Sequence, residues 1–250
     1  MDELQLLVDL HKDGARQGPG GDPETRLALG LSMLDGARPL KIADIGCGTG
    51  AATLVLAREL NAQITAVDFL QDFLDVLENR AKAEGLSGKI STLCRSMDDL
   101  PFSDGEFDAI WSEGAIYNIG FEKGLRDWRR YLKTGGILAV SEITWTTAAR
   151  PSELQAYWER EYPEIGVAST KMAQLEKCGY APLGYFVLPE HCWLDNYYRP
   201  MQQRFESFLE QHGGSEDARA IVESDAREIA LYEMYKAHYS YGVYIARKLG

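Results

Sequence analysis

Ile42-Ala43-Asp44-Ile45-Gly46-Cys47-Gly48-Thr49-Gly50 decides the fold, because it sets a glycine-rich turn between a short hydrophobic strand and a helical stretch over 51–60. Small residues there let a ligand approach the backbone, and the helix N-terminus offers outward-pointing N–H groups. A second strand over 63–67 ends at Asp68, a carboxylate placed to accept hydrogen bonds from the two hydroxyls of a ribose. These pieces outline a nucleoside-cofactor site.

Spacing selects among the nucleoside cofactors. A dinucleotide fingerprint reads G-x-G-x-x-G, its third glycine permitting close helix–strand contact beneath a pyrophosphate. Here the glycines are Gly46, Gly48 and Gly50, followed by Ala51-Ala52-Thr53. Asp44 would also put negative charge near a pyrophosphate, whereas it suits a cofactor bearing an ammonium and a sulfonium. The run resembles the glycine-rich motif of the class I S-adenosylmethionine-dependent methyltransferases. That resemblance implies S-adenosyl-L-methionine as cofactor and S-adenosyl-L-homocysteine as product. It puts Asp44 near the methionine end, Gly46, Cys47, Gly48 and Thr49 in the turn beneath it, and Asp68 with Phe69 at the ribose.

Residues 90–94 read as a third strand. The following Arg95-Ser96-Met97-Asp98-Asp99-Leu100-Pro101-Phe102 resembles the corresponding segment of the ubiquinone/menaquinone-biosynthesis type of these enzymes. There the pattern is Gly-Asp-Ala before Leu-Pro-Phe, and the aspartate bonds the adenine amino group. This chain departs, with Ser96 at the aspartate position and Met97 at the alanine. The resemblance leaves adenine to Met97, with Ser96 or Asp98 as polar partner; a flexible thioether also serves as core filler. A fourth strand over 107–111 leads to Ser112, a further cofactor-side candidate, and to Glu113, Tyr117 and Asn118, where the family places substrate-facing groups. A helix over 125–132 is expected to end in the Lys133-Thr134-Gly135-Gly136 turn, with a buried fifth strand over 137–141.

These lengths and periods fit alternating β and α units. The expected fold class is α/β: a Rossmann-like, seven-stranded, mostly parallel sheet with an antiparallel last strand and helices on both faces, completed by an N-terminal helical lid and a helical insertion before the last strand. Strands over 183–188 and 241–246 complete the sheet. The chain is expected to form a single methyltransferase domain over 1–250. Its parts are N-terminal helices and lid (1–36), a cofactor-binding core (37–190), a helical insertion or substrate cap (191–239) and the last strand (240–250). Helices are predicted over 152–162, 170–178, 200–211 and 215–239, the last with an apolar stripe at Val222, Ala226, Ile229 and Tyr232. The insertion opens with Pro189-Glu190-His191-Cys192-Trp193, and the 13 tyrosines and 5 tryptophans fit an aromatic-lined pocket.

Composition bounds the function. With 250 residues and 45% hydrophobic content the chain can bury one substantial core, and it has no apolar run long enough to span a membrane. The formal charge of −12 would repel a phosphate backbone, so a small-molecule substrate is expected and nucleic acid is not. Cys47, Cys94, Cys178 and Cys192 show no paired metal spacing, and no secretory leader precedes Asp2. Free thiols, no metal and a cytoplasmic location follow, with a monomer or homodimer as the expected state.

Before the first strand, residues 3–10 form a helix with Leu4, Leu7, Val8 and Leu10 largely on one side, and Asp22-Pro23-Glu24 starts another through residue 34. Between them, Gly14, Gly18, Gly20 and Gly21 make either a mobile lid or a plain surface loop, and Arg16 and Gln17 are placed to reach the cofactor carboxylate or an acidic substrate. The crevice is expected between 16–20, 113–118 and 191–193. Methyl transfer from a sulfonium is an in-line displacement needing alignment and, for some acceptors, a base. Glu113 is the first candidate base and His191 the second; each is equally a hydrogen-bonding structural group. Tyr117 and Asn118 are expected to orient the substrate. The competing readings are an NAD-dependent oxidoreductase and a non-catalytic S-adenosylmethionine-binding protein.

Overall fold

A computed structural model of the protein describes residues 3–250. Strand β1 (Leu40–Ile45) lies inside the sheet because it is apolar on both faces: Ile42, Ala43 and Ile45 are fully buried. It pairs in parallel with β2 (Ala62–Asp68) on one side and β4 (Phe107–Ser112) on the other. Beyond them lie β3 (Ile90–Cys94) and β5 (Leu132–Trp145), also parallel. The order reverses between β1 and β4, and ligands of open α/β sheets sit at the carboxyl ends of strands at such a point. The final strand, β8 (Tyr239–Lys248), inserts antiparallel between β5 and β7 (Tyr180–Val187), giving the order β3-β2-β1-β4-β5-β8-β7.

One short strand exceeds the seven expected. β5 overhangs β4 past Val140, and the two-residue β6 (Gly166–Val167) covers that edge by pairing with Thr144 and Trp145. β5 also starts earlier than predicted. Its register against β4 jumps between Leu132 and Ile137, so the Lys133-Thr134-Gly135-Gly136 turn is a bulge inside the strand. The helix predicted before it is correspondingly earlier, Phe121–Arg129.

The helices of the N-terminus and of the insertion form one layer over the strand ends. In chain order, α1 (Glu3–His11) and α2 (Asp22–Ser32) precede β1, while α3 (Ala51–Glu59) and α4 (Gln71–Ala83) follow β1 and β2. The helix before β5 is α5; α6 (Ser152–Glu161) and α7 (Ala168–Lys177) lie between β5 and β7. The insertion is helical from α8 (Glu190–Trp193), through a wide π-type turn (Leu194–Tyr198), to α9 (Arg199–Gln202), α10 (Phe205–Gln211) and α11 (Glu216–Tyr235). The single helix predicted over 200–211 is two helices, with Pro200 in the first turn of α9 and a turn at Gln203-Arg204 before α10. Leu6 and Leu10 of α1 pack against Phe208, Ala218 and Ile221, which docks α1 on the insertion. The buried face of α11 is Ala218, Ile221, Ile229, Tyr232 and Tyr235; Ala226 of the predicted stripe is exposed. Among the described residues no helix is long and apolar enough to cross a membrane.

Candidate active site

The glycine turn is fastened before any ligand arrives. The amides of Gly46 and Cys47 both donate to the carbonyl of Val67, at 2.8 and 2.9 Å, pinning the end of β1 to the end of β2. Gly46 has φ 75°, and a Cβ there would lie 2.3 Å from the Cβ of Ala115, so only glycine fits. Gly48, at φ 55°, would direct a Cβ to 2.6 Å from Gln17 Oε1.

Two carboxylates frame this turn. Asp44 is fully buried and accepts a hydrogen bond from Thr53 Oγ1 at 2.5 Å. Burial pushes its carboxyl up to about 7; the Thr53 bond opposes the shift, and the nearby Glu113 and Asp68 add to it. A cation beside Asp44 would relieve that desolvation. Asp68 Oδ2 accepts from the Gly48 amide at 2.8 Å and Oδ1 from the Leu70 amide at 3.0 Å. Burial raises its pKa while the Leu70 and Gly48 amides hold it down. Each oxygen keeps acceptor capacity for a further donor.

Both carboxylates line a cavity of about 710 Å³, a size that holds a nucleoside together with a small second molecule. At this end Gly46, Cys47, Gly48, Phe69, Ser96, Met97 and Asp98 contribute to the wall. Ser96 Oγ donates to Asp98 Oδ1 at 2.6 Å, which holds the Asp98 carboxyl below its usual range. The Met97 carbonyl accepts from Trp128 Nε1 at 2.9 Å, so its backbone is fixed while its side chain faces the cavity.

The glycine-bearing strap of the N-terminal lid is tied to the site by hydrogen bonds. Arg16 Nη1 donates to Glu113 Oε2 at 3.1 Å and its Nη2 to Thr25 Oγ1 at 3.3 Å. Gln17 Oε1 accepts from the Thr49 amide at 2.8 Å and from Thr49 Oγ1 at 2.9 Å, while its Nε2 donates to the carbonyls of His11 and Gly14. Arg80, which no motif singles out, clamps the strap from α4 through Gly14 O, Ala15 O and Thr49 Oγ1.

Several expected roles change accordingly. Arg16 and Gln17 border the cavity, yet their polar groups are already committed within the protein. Thr49 and Ser112 are buried and do not line it; Ser112 Oγ donates to Ile45 O at 2.7 Å, clasping β4 to β1. Glu113 borders the cavity, but its oxygens accept from Arg16, from Thr25 at 2.8 Å and from Trp111 Nε1 at 2.9 Å, so the candidate base is an anchor for the strap. His191 lies outside the cavity, exposed, with Nε2 3.3 Å from Glu24 Oε1. The expected contribution of 191–193 to the crevice is made instead by Tyr197, brought in by the wide turn.

Residues 42–136 match the family model described as a methyltransferase domain. Within that span the chain carries the glycine turn, Asp68 and the 96–98 segment. It is 36% identical over 116 residues to demethylmenaquinone methyltransferase of Bacteroides fragilis, an alignment covering 46% of this chain and 47% of that protein. The chain spans about half the length of the curated relatives it matches. Among solved structures, a methyltransferase of Geobacter sulfurreducens in complex with S-adenosyl-L-homocysteine superposes with TM-score 0.82 at 18% identity, over 97% of each chain. The [4+2]-cyclase SpnF superposes with TM-score 0.78 at 23% identity, over 99% of this chain and 93% of that one. At these identities the structural likenesses establish the fold alone.

The opposite end of the cavity is apolar and aromatic. Leu4, Leu7 and His11 of α1 line it with Tyr117, Asn118, Ile119 and Tyr197. Positions 4, 7 and 11 share one helix face, and Leu6 and Leu10 form the neighbouring face that docks on the insertion. Tyr117 is 39% exposed to the solvent of the cavity, while the protein mass around it still raises its pKa by desolvation. Among the described residues His11 is the one histidine in the wall. Its Nδ1 is buried without a hydrogen-bond partner, and Asp225 Oδ2 of α11 lies 3.9 Å from its Nε2. Burial, reinforced by the positive charge of Arg204, pushes the imidazole down to about 4, while burial raises Asp225 to about 7. Residue type alone could have marked His11; its placement depends on how α1 docks.

Proposed function

We propose that the protein is an enzyme transferring a methyl group from S-adenosylmethionine to a small organic acceptor by in-line displacement. The observation that carries this reading is one continuous cavity with a polar, carboxylate-framed end and an apolar end. The residues present fit the cofactor: Asp44 is a buried carboxylate in want of a cation, Gly46 and Gly48 leave backbone open to a ligand, and Asp68 has acceptor capacity for ribose hydroxyls. Ser96, Met97 and Asp98, with Phe69, are assigned to the nucleoside base. When bound, the cofactor supplies an electrophilic methyl on sulfur. The chain's own part is to align the acceptor between Tyr117 and Tyr197, exclude water, and accept a proton where the acceptor must lose one.

His11 is assigned that proton, in place of Glu113 and His191. Its depressed pKa keeps the imidazole neutral at physiological pH, and Asp225 Oδ2 lies 3.9 Å from its Nε2. Leu4, Leu7 and Ile119 favour an acceptor with an apolar body. The charge of −12 and the concave site favour a small molecule over nucleic acid. We further assign 1–250 to one domain, a monomer or homodimer, and a cytoplasmic location consistent with four free cysteines.

Calorimetry with S-adenosylmethionine, S-adenosylhomocysteine and NADH, followed by transfer of labelled methyl into a metabolite pool, tests the proposal. Binding of the first two and labelled product support it. Tight NADH binding alone would favour the oxidoreductase. Cofactor binding with no transfer would favour a non-catalytic role, or another chemistry on this fold, as the cyclase SpnF illustrates.

A further inference from the structure

Outside the cavity, three unlike side chains converge where α2 meets the insertion. His191 Nε2 lies 3.3 Å from Glu24 Oε1 and 3.7 Å from Cys192 Sγ, and one donor atom from each residue falls within 4.8 Å of the others. A tetrahedral zinc ion with bonds of about 2.0 Å to nitrogen and oxygen and about 2.3 Å to sulfur has an N···O edge of roughly 3.3 Å and an N···S edge of roughly 3.5 Å. The two measured separations are close to those edges. Glu24 Oε1 is the oxygen that faces His191, and Glu24 Oε2 is buried without a hydrogen bond. A Cβ at Gly21 would lie 2.1 Å from that same oxygen, so the chain leaves room for the carboxylate there. Backbone and amide hydrogen bonds close the corner from both sides: Gly20 N donates to Cys192 O at 3.3 Å, and Asn196 Nδ2 to Gly20 O at 2.7 Å.

We propose that Glu24, His191 and Cys192 form a three-ligand tetrahedral zinc site, with water in the fourth position on the exposed side of His191. A mixed thiolate, imidazole and carboxylate set selects zinc over magnesium or calcium. On binding, the Cys192 S–H bond breaks, its proton goes to solvent and a sulfur–zinc bond forms, while neutral His191 offers its Nε2 lone pair. The ion acts at a distance from the chemistry. Thr25, next to Glu24, donates to Glu113 Oε1, and Glu113 holds Arg16, so fixing Glu24 fixes the strap over the cavity. No cysteine pair marks this site in the sequence, because its ligands come from one short helix and a glutamate far upstream.

The test is titration of cobalt(II), then zinc, into the chelator-treated 250-residue protein. One cobalt ion per chain, with thiolate-to-cobalt absorption and the visible bands of tetrahedral coordination, displaced by zinc, is the expected result. Cys192→Ser should remove the thiolate band. His191→Ala, at an exposed position, should weaken zinc binding by about tenfold or more, and Cys94→Ser should change nothing. Zinc should raise the Tm of the wild type and not that of His191→Ala. No cobalt binding, octahedral bands only, or a thiolate band surviving Cys192→Ser would overturn the proposal and leave a hydrogen-bonded trio.

Discussion

The two ends of the cavity are built in different ways. The carboxylate-framed end comes from the carboxyl termini of β1 and β2 and the turns that follow them, residues whose positions the sheet dictates. The apolar end is assembled from α1, the segment after β4 and the wide turn of the insertion, which meet only because Leu6 and Leu10 bury themselves against α10 and α11. One end is rigid by topology and the other by helix docking. Substitutions at the first should therefore act on cofactor affinity, and those at the second on turnover or acceptor affinity.

Gly46→Val would break this division most severely. A branched side chain at φ 75°, directed into Ala115, combines backbone strain with overpacking. Cofactor binding should vanish in calorimetry, with circular dichroism reporting how much of the fold survives. Gly48→Ala, whose Cβ would meet Gln17, should instead loosen the strap and raise protease cleavage near residue 17.

His11→Gln sharpens the other half of the comparison. Loss of a general base lowers kcat by about 10²–10⁴-fold, and the dissociation constant of S-adenosylhomocysteine should stay unchanged. A full rate in this variant would return the reaction to alignment of an already nucleophilic acceptor. Asp68→Ala should do the reverse, weakening the cofactor by about 1.5–3 kcal/mol, the range for a hydrogen-bonded charged group, while saturating cofactor restores most of kcat.

Titration of Asp44 supplies a smaller, graded test. Its folded pKa of about 7 lies above the unfolded value, so the folded protein holds a proton that the unfolded chain has lost. Asp44 therefore lowers stability progressively as pH rises from the ordinary carboxylate range to about 7, and no further above that. A cationic cofactor favours the ionised form, so affinity for S-adenosylmethionine should rise by up to about tenfold per pH unit below 7 and then level off. Asp44→Asn should flatten this dependence. Leu7→Ala should have the smallest effect, about 1 kcal/mol in acceptor KM from lost apolar contact, with cofactor affinity intact.

The same contrast explains what could be read in advance. Asp44, Gly46, Asp68 and the 96–98 segment were legible because strand ends and glycine spacing fix them locally. Glu113 was placed correctly beside the cavity, but its saturation by Arg16, Thr25 and Trp111 depends on partners from both ends of the chain. The glycines of the strap marked it as a lid; its anchoring by Arg80 and Gln17 runs through contacts distant in sequence. α1 is apolar on more than one face, so periodicity alone could not tell which leucines pack and which line the cavity. Tyr197 reaches the cavity from the wide turn before Pro200, whereas His191, one short helix earlier, faces Glu24 instead.

Titration of S-adenosylhomocysteine into the wild type, Asp68→Ala and His11→Gln tests the two-ended cavity most directly. The account predicts one site per chain, weakened by Asp68→Ala and unaffected by His11→Gln. No binding to the wild type at millimolar ligand while NADH binds tightly, or equal loss in the two variants, would contradict it.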